Sequence, residues 1–483
     1  MTTSERLPPD GGSHGTTAVA PPRHSVWSTL REAVRGSHQD YTQVPIGRAV
    51  VLLAVPMVLE MMMESVFLVV DVFFVGKLGA DAITTVGVTE SMMTILYAAA
   101  IGLSIGATAT VARRIGEKDP EAAAHAGAQA ILLGVAFGAI VGVIGALFAP
   151  QLLAAMGASD DVVRTGGTFA RVMLGASVNV VLLFLINAVF RGAGDAAIAM
   201  RVLWFANAIN IVLGPLLIFG IGPFPELGVT GAAIGTSIGR GCGVLMQLYH
   251  LTRPGGRIRI RRQHLWLDPP VMRGILRISG TAVFQNFIGT ASWVGLVRIL
   301  TGFGSAAVAG NTIGIRIVVF AILPAFGVAN AGATLVGQNL GAGKPDRAEQ
   351  AAWKAGLYNT IVLGIVGLGF LLFAPQLISL FSNDPEVTAY GVRCLRIVAA
   401  GFLFYGYGLV FTAAFNGAGD AWTPTWINLA CFWMLELPLA WVLAHTLGFG
   451  PTGVFIAVSV AFSTLAFVSG YLFSKGNWKT KRV

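Results

Sequence analysis

Twelve apolar stretches, each near or above the roughly 20 helical residues that a hydrocarbon core requires, follow one another from about residue 49 to residue 473. Inside lipid no water satisfies the backbone, so a spanning segment must be a helix or a strand of a closed barrel. These stretches are continuously apolar and lack the in-and-out alternation of a barrel strand. The chain is therefore expected to be an all-α integral membrane protein with twelve transmembrane helices and the lipid bilayer as its first partner. Composition agrees: only 11% of the 483 residues are charged, against about a quarter in a soluble domain.

Residues 1–43, rich in Pro, Gly, Ser, Thr and His, read as a disordered tail rather than a signal peptide. Arg253, Arg257, Arg259, Arg261, Arg262 and Arg273 crowd the one long internal loop, 251–273, and Lys479, Lys481 and Arg482 sit in a basic C-terminal tail, 476–483. With an even number of spans between them, the first tail, this loop and the last tail share one side. The positive-inside rule makes that side cytoplasmic, and the chain is expected in the plasma (inner) membrane. Basic loops account for the net charge of +9; with no aromatic-basic surface beside them, they argue against nucleic acid as a partner. The histidines are scattered, and Cys242, Cys394 and Cys431 sit in apolar runs without metal-ligand spacing, so neither a metal site nor an enzyme nucleophile is expected.

The chain repeats itself. Phe148-Ala149-Pro150-Gln151 returns as Phe373-Ala374-Pro375-Gln376, and FRGAGDA at 190–196 returns as FNGAGDA at 415–421, both offset by 225. Gly106-Ala107-Thr108 returns as Gly332-Ala333-Thr334. The halves, 44–250 and 274–475, hold six spans each and so form parallel repeats about an axis normal to the membrane, the architecture of secondary transporters that rock one half against the other. In each GAGD turn the second glycine is expected to end a span in a left-handed conformation, and Asp195 or Asp420 to cap the helix that follows.

The first span carries the chemistry. Glu60, Glu64 and Asp71 all lie in VLEMMMESVFLVVDVFFVG. At about 100° per residue they share one helix face, and an acid inside lipid defaults to a functional role. Burial and mutual repulsion both penalise the charged forms, which suits groups that take up a proton or a cation. Asn210 in the fifth span is a neutral candidate for the same site. The offset of 225 carries Glu60, Glu64 and Asp71 onto Gln285, Gly289 and Leu296, so cation coupling is expected to centre on the first half. Met61 and Tyr97, adaptable residues near the stripe, join Gln285, its neighbour Asn286 and Arg316 as candidate cavity residues. Arg298 and Arg316 have a candidate ion-pair partner in Glu436.

Val70-Asp71 with Phe74-Val75-Gly76-Lys77-Leu78-Gly79, the paired GAGD turns, and Asn210-Ile211-Val212-Leu213 before Pro215 together resemble the multidrug and toxic compound extrusion family over essentially the whole chain after residue 43. The resemblance implies a V of two six-helix lobes, working as a monomer without a cofactor. It also implies antiport of small organic, often cationic, compounds against H⁺ or Na⁺, with Asp71 as the coupling acid of the first lobe. Where many relatives carry a second acid this chain has Gly214, which weakens a Na⁺ site at Asp71 and Asn210. The rival within the same superfamily is a flippase for lipid-linked or polysaccharide precursors; a membrane-embedded enzyme is the rival from another class.

Single cysteines placed in the 251–273 loop of a cysteine-free variant should be labelled by a membrane-impermeant thiol reagent only after the cells are broken. Labelling in intact cells would invert the topology.

Overall fold

The computed structural model describes residues 25–37 and 39–481, apart from the side chains of Val72, Ala80 and Asp81. A short helix, α1 (Val26–Arg35), precedes α2 (Ile46–Gly76), α3 (Ala80–Gly116), α4 (Pro120–Ala155), α5 (Asp160–Gly175), α6 (Ser177–Ala193), α7 (Ala196–Phe219) and α8 (Val229–Thr252). The second half runs through α9 (Pro269–Thr301), α10 (Ser305–Gly341), α11 (Pro345–Ser379), α12 (Pro385–Ala400), α13 (Phe402–Gly417), α14 (Trp422–Thr446) and α15 (Pro451–Ser474). Among the described residues nine spans are long and apolar enough to cross a bilayer, α5 with α6 counting as one, and α12 with α13 makes a tenth that bends by 60°. At 31 and 24 residues, α2 and α8 complete twelve by length. Helices α2–α8 form the N-lobe and α9–α15 the C-lobe.

The ends differ from the sequence expectation. Part of the expected disordered tail, 1–24, lies outside the described residues, but residues 25–37 and 39–43 are ordered against the rest of the chain. Ser25 caps α1 through the amide of Trp27, and Tyr41 is buried with its hydroxyl donating to the Gly194 carbonyl at 3.2 Å. The first helix of the second half, α9, begins at Pro269. The expected basic tail 476–483 holds a short 3-10 turn, Asn477–Thr480, that buries Trp478 against Phe473 at 4.4 Å between ring centroids. In both cases a single large aromatic supplies the apolar burial that composition alone hides.

The GAGD glycines behave as expected: Gly194 and Gly419 have φ of 89° and 85°. The aspartates do not cap through their own carboxylates in the same way. Asp195 faces Arg257 of the basic loop at 3.4 Å, while Asp420 accepts from the Thr423 hydroxyl at 2.8 Å and faces Lys481.

The lobes meet at the face that carries Tyr41, the basic loop and the C-terminal residues, called here the basic face. At the ends of α3 and α10 there the two backbones touch. A Cβ on Gly116 would lie 2.0 Å from the Gln338 carbonyl oxygen, and one on Gly341 2.1 Å from that of Arg113, so both positions require glycine. Polar groups lock the crossing: Gln338 donates to the Gly192 carbonyl at 2.9 Å, Thr334 to that of Arg191 at 3.3 Å, and Arg113 to that of Lys481 at 2.6 Å. The segment before α2 ties both lobes from below. Arg257 donates to the Ser37 and Gln39 carbonyls, Lys344 to that of Thr42 at 2.9 Å, and Arg347 to that of Val44. Toward the other face α3 and α10 instead expose polar side chains, Glu90, Ser91 and Thr94 on one and Thr312 and Arg316 on the other. Exposed polar groups within a span line water rather than lipid, so a cleft separates the lobes on that side.

Valine at position 116 cannot be accommodated by a rotamer change, because the clash is with backbone, and should cost about 1–3 kcal/mol. Thiol labelling of Thr334→Cys, at a buried position, should rise in the Gly116→Val background. Unchanged labelling would mean that the crossing does not hold this face shut.

Candidate functional site

The polar interior of the N-lobe is assembled by α2 from one side and α3, α6, α7 and α8 from the others. At its deepest point Glu60, 1% exposed, accepts from Arg191 at 2.8 Å and from Asn187 at 3.1 Å, both on α6. Gln247 of α8 donates to the Asn187 oxygen at 2.7 Å and fixes the orientation of that amide. One turn along α2, Glu64 accepts from Asn207 of α7 at 3.3 Å. Arg240 of α8 is buried, donates to the Tyr97 hydroxyl at 3.1 Å, and lies within electrostatic reach of both Glu64 and Asp71.

Nearer the cleft, Asp71 borders a cavity of about 30 Å³, large enough for a water molecule or a small ion. Glu90, Thr89 and Thr236 share its wall, and Phe169 and Met173 close it. Thr236 accepts from Asn210 at 2.7 Å, which links Asn210 to the Asp71 cavity through a hydroxyl. Glu90 is within electrostatic reach of Asp71 on its own lobe and of Arg316 on the opposite one. Charged groups thus run without a gap from Arg191 through Glu60, Glu64, Arg240, Asp71 and Glu90 to Arg316.

Of the residues singled out from sequence, Asp71 lines the small cavity, Asn210 stands behind it bonded to Thr236 of its wall, and Glu64 and Tyr97 meet at Arg240. Glu60 lies deeper, held in an ion pair. Met61 is half-buried on α2, and Arg316 is exposed on α10. Gln285 and Asn286 are on α9, away from the N-lobe cluster, and Gln285 Oε1 and Asn286 Nδ2 are buried without a hydrogen-bond partner among the described residues. Glu436 pairs with neither arginine: Arg298 and Arg316 are exposed, and the group in reach of Glu436 is Ser292.

Arg191, Arg240, Asn187, Thr236 and Glu90 escaped the sequence reading. Glu90 carried the same signal as the acids of α2, a carboxylate within an apolar span. Arg191 stands where the second GAGD copy has Asn416, a charge gained by one copy alone. Arg240 carried a like signal, an arginine midway along an apolar span, but the groups it neutralises lie on other helices.

The MatE family model matches residues 56–216 and 281–442, one copy in each lobe and together more than half of the chain. The probable multidrug resistance protein YoeA of Bacillus subtilis is 26% identical over 92% of this chain and 97% of its own length. An FAD transporter of Shewanella oneidensis is 28% identical over 82% and 88%. A solved multidrug resistance MATE family transporter of the MOP superfamily, in an outward-facing conformation, superposes with a TM-score of 0.84 at 24% identity, covering 90% of this chain and 96% of that one. Two lobes of six spans, built from a duplicated unit that the family model matches twice, make this chain a transporter of the MatE family, and not an enzyme.

Proposed function

We propose that the protein is a secondary antiporter that exports organic cations in exchange for protons, with Asp71 as its coupling carboxyl. One observation carries this reading: Asp71 and Glu90 share a small cavity, on the side where α3 and α10 expose polar side chains and away from the glycine crossing that joins the lobes. With the basic face cytoplasmic, as its arginines and lysines argue, the cleft opens outward, the state from which an exported compound leaves and a proton enters. A ligand shifts such an equilibrium only by its different affinity for the two states. Ionised Asp71 and Glu90 attract a cation; protonated, they release it and lose the charge that sets them apart from the C-lobe. Glu64 senses the same change through Arg240. Glu60 is the structural member of the stripe, anchored by Arg191. The proton is favoured over Na⁺ because Gly214 has no side chain to add an oxygen beside Asn210 Oδ1, 3.7 Å from where its Cβ would lie.

A second reading, export of an organic anion, is favoured by Arg316, an exposed arginine facing Glu90 across the cleft, and by the likeness to an FAD transporter. Proteoliposomes given a pH or a Na⁺ gradient separately, and offered either a fluorescent organic cation or FAD, separate the two.

Asp71→Asn should insert and melt like the wild type while abolishing export driven by a pH gradient. Binding of a transported cation should weaken several-fold from about pH 8 to about pH 6, since one pKa unit corresponds to about tenfold in affinity, and Asp71→Asn should flatten that dependence. Export at the wild-type rate by Asp71→Asn, or a pH-independent affinity in the wild type, would refute the coupling role.

Glu60→Gln should behave differently. It leaves the Arg191 charge buried without its counter-ion, a loss of about 3–5 kcal/mol. A lowered melting temperature in detergent is expected; wild-type stability with lost coupling would move Glu60 into the transport machinery.

A further inference from the structure

One buried carboxyl has no part in the exchange described above. Glu436 on α14 is 1% exposed, and its Oε1 has no hydrogen-bond partner among the described residues. It ends a π-helical stretch, Leu429–Glu436, a geometry that recurs at functional sites. The groups facing it are Ser292 of α9, Tyr405 of α13 and Cys431 of its own helix. No cation from α9, α10, α13 or α15 acts on its charge; burial and Ser292 do.

Hydrogen bonding decides its state. The Ser292 hydroxyl has a single hydrogen, which can serve the Gly289 carbonyl, 2.9 Å away, or Glu436, but not both at once. An ionised carboxylate here would have at most that one hydrogen bond and no counter-ion, a poorly compensated buried charge. A protonated carboxyl donates to Ser292 instead.

The duplication gives the position its meaning. In the N-lobe Trp204 Nε1 donates to the Leu59 carbonyl at 3.0 Å, and in the C-lobe Trp433 Nε1 donates to that of Ile288 at 3.0 Å. Both members of this pair are offset by 229. Three residues after each tryptophan stands Asn207 or Glu436, and four or five after each carbonyl stands Ser292 or Glu64. Glu64 with Asn207, and Ser292 with Glu436, are one juxtaposition in which the acid has changed helices.

From this geometry we propose that Glu436 and Ser292 form a second proton-binding site, in the C-lobe, which holds its proton in the open-cleft state and gives it up in the opposite one. Each exchange cycle then carries one proton more than the Asp71 site supplies. The use of that proton rests on the antiport reading; its presence on Glu436 does not.

Infrared difference spectra of the full-length protein in Na⁺-free detergent test the presence. A protonated-carboxyl C=O band that persists to alkaline pH is expected in the wild type and in Asp71→Asn, and its loss in Glu436→Gln. Ser292→Ala, a gentler change, should shift the band by removing its acceptor. A band that survives in Glu436→Gln, ignores Ser292→Ala, or vanishes when Na⁺ is added at constant pH would overturn the site. In proteoliposomes with a pH gradient of one unit, Glu436→Gln should lower the limiting accumulation ratio of a fluorescent cation about tenfold, the factor for one proton per unit of pH. An unchanged ratio would overturn the added proton. A wild type blind to the pH gradient would sink the antiport reading and leave the infrared result standing.

Discussion

An ion inside lipid has no water to solvate it, and in this protein the N-lobe is arranged around that constraint. Arg191 and Arg240 enter the lobe from α6 and α8 and meet the acids of α2. With Glu60, Arg191 forms a pair at 2.8 Å to which Asn187, held by Gln247, adds a bond on the same oxygen, so the deepest charge is neutral as a unit, while Glu60 Oε2 has no hydrogen-bond partner among the described residues. Arg240 is shared, lying in reach of Glu64 and Asp71 while bonded to Tyr97. A shared cation leaves the outer acids only partly compensated, and in the proposed exchange a proton or an organic cation makes up the difference. On that reading the same stripe is structural at one end and responsive at the other.

The outline of this arrangement was legible in the chain because lipid imposes a strict length on each span and because the second half repeats the first. The turn glycines Gly194 and Gly419, the shared face of Glu60, Glu64 and Asp71, and the link of Asn210 to that face follow from local periodicity and motif. What stayed hidden depends on contacts between distant helices. The arginine partners are such a case: Arg240 is 169 positions from Asp71 in sequence, and no pattern joins them. The offset of 225 placed Gln285 opposite Glu60, yet the tryptophan anchors align α2 with α9 and α7 with α14 four residues further on, about one helical turn. The π-helical stretch in α14 accompanies that slip, and only coordinates reveal it. The order of residues 25–37 and 39–43 was missed for a different reason: one buried tyrosine and a series of backbone carbonyls hold them, and neither raises local hydrophobicity.

The two ends of the lobe interface use opposite chemistry. On the basic face closure relies on glycine backbones in van der Waals contact and on amides bonded to carbonyls, interactions that are short-ranged and lost together once the helices part. On the cleft side the facing groups are Glu90 and Arg316, whose attraction reaches across a gap. One end resists opening until it gives way; the other draws the lobes together gradually, and protonation of Glu90 weakens that pull.

The segment ahead of α2 adds a consequence of its own. Its carbonyls at Ser37, Gln39, Thr42 and Val44 accept from arginines and a lysine that belong to the central loop and to α11, and Asp40 pairs with Lys118 between α3 and α4. Because those donors sit on both moving bodies, the strap must let go of one of them each time the basic face parts. Its detachment is then a kinetic governor: it adds to the lifetime of one state without touching any transported species, and evolution can retune the turnover of such a pump by editing a dozen residues that never meet its cargo.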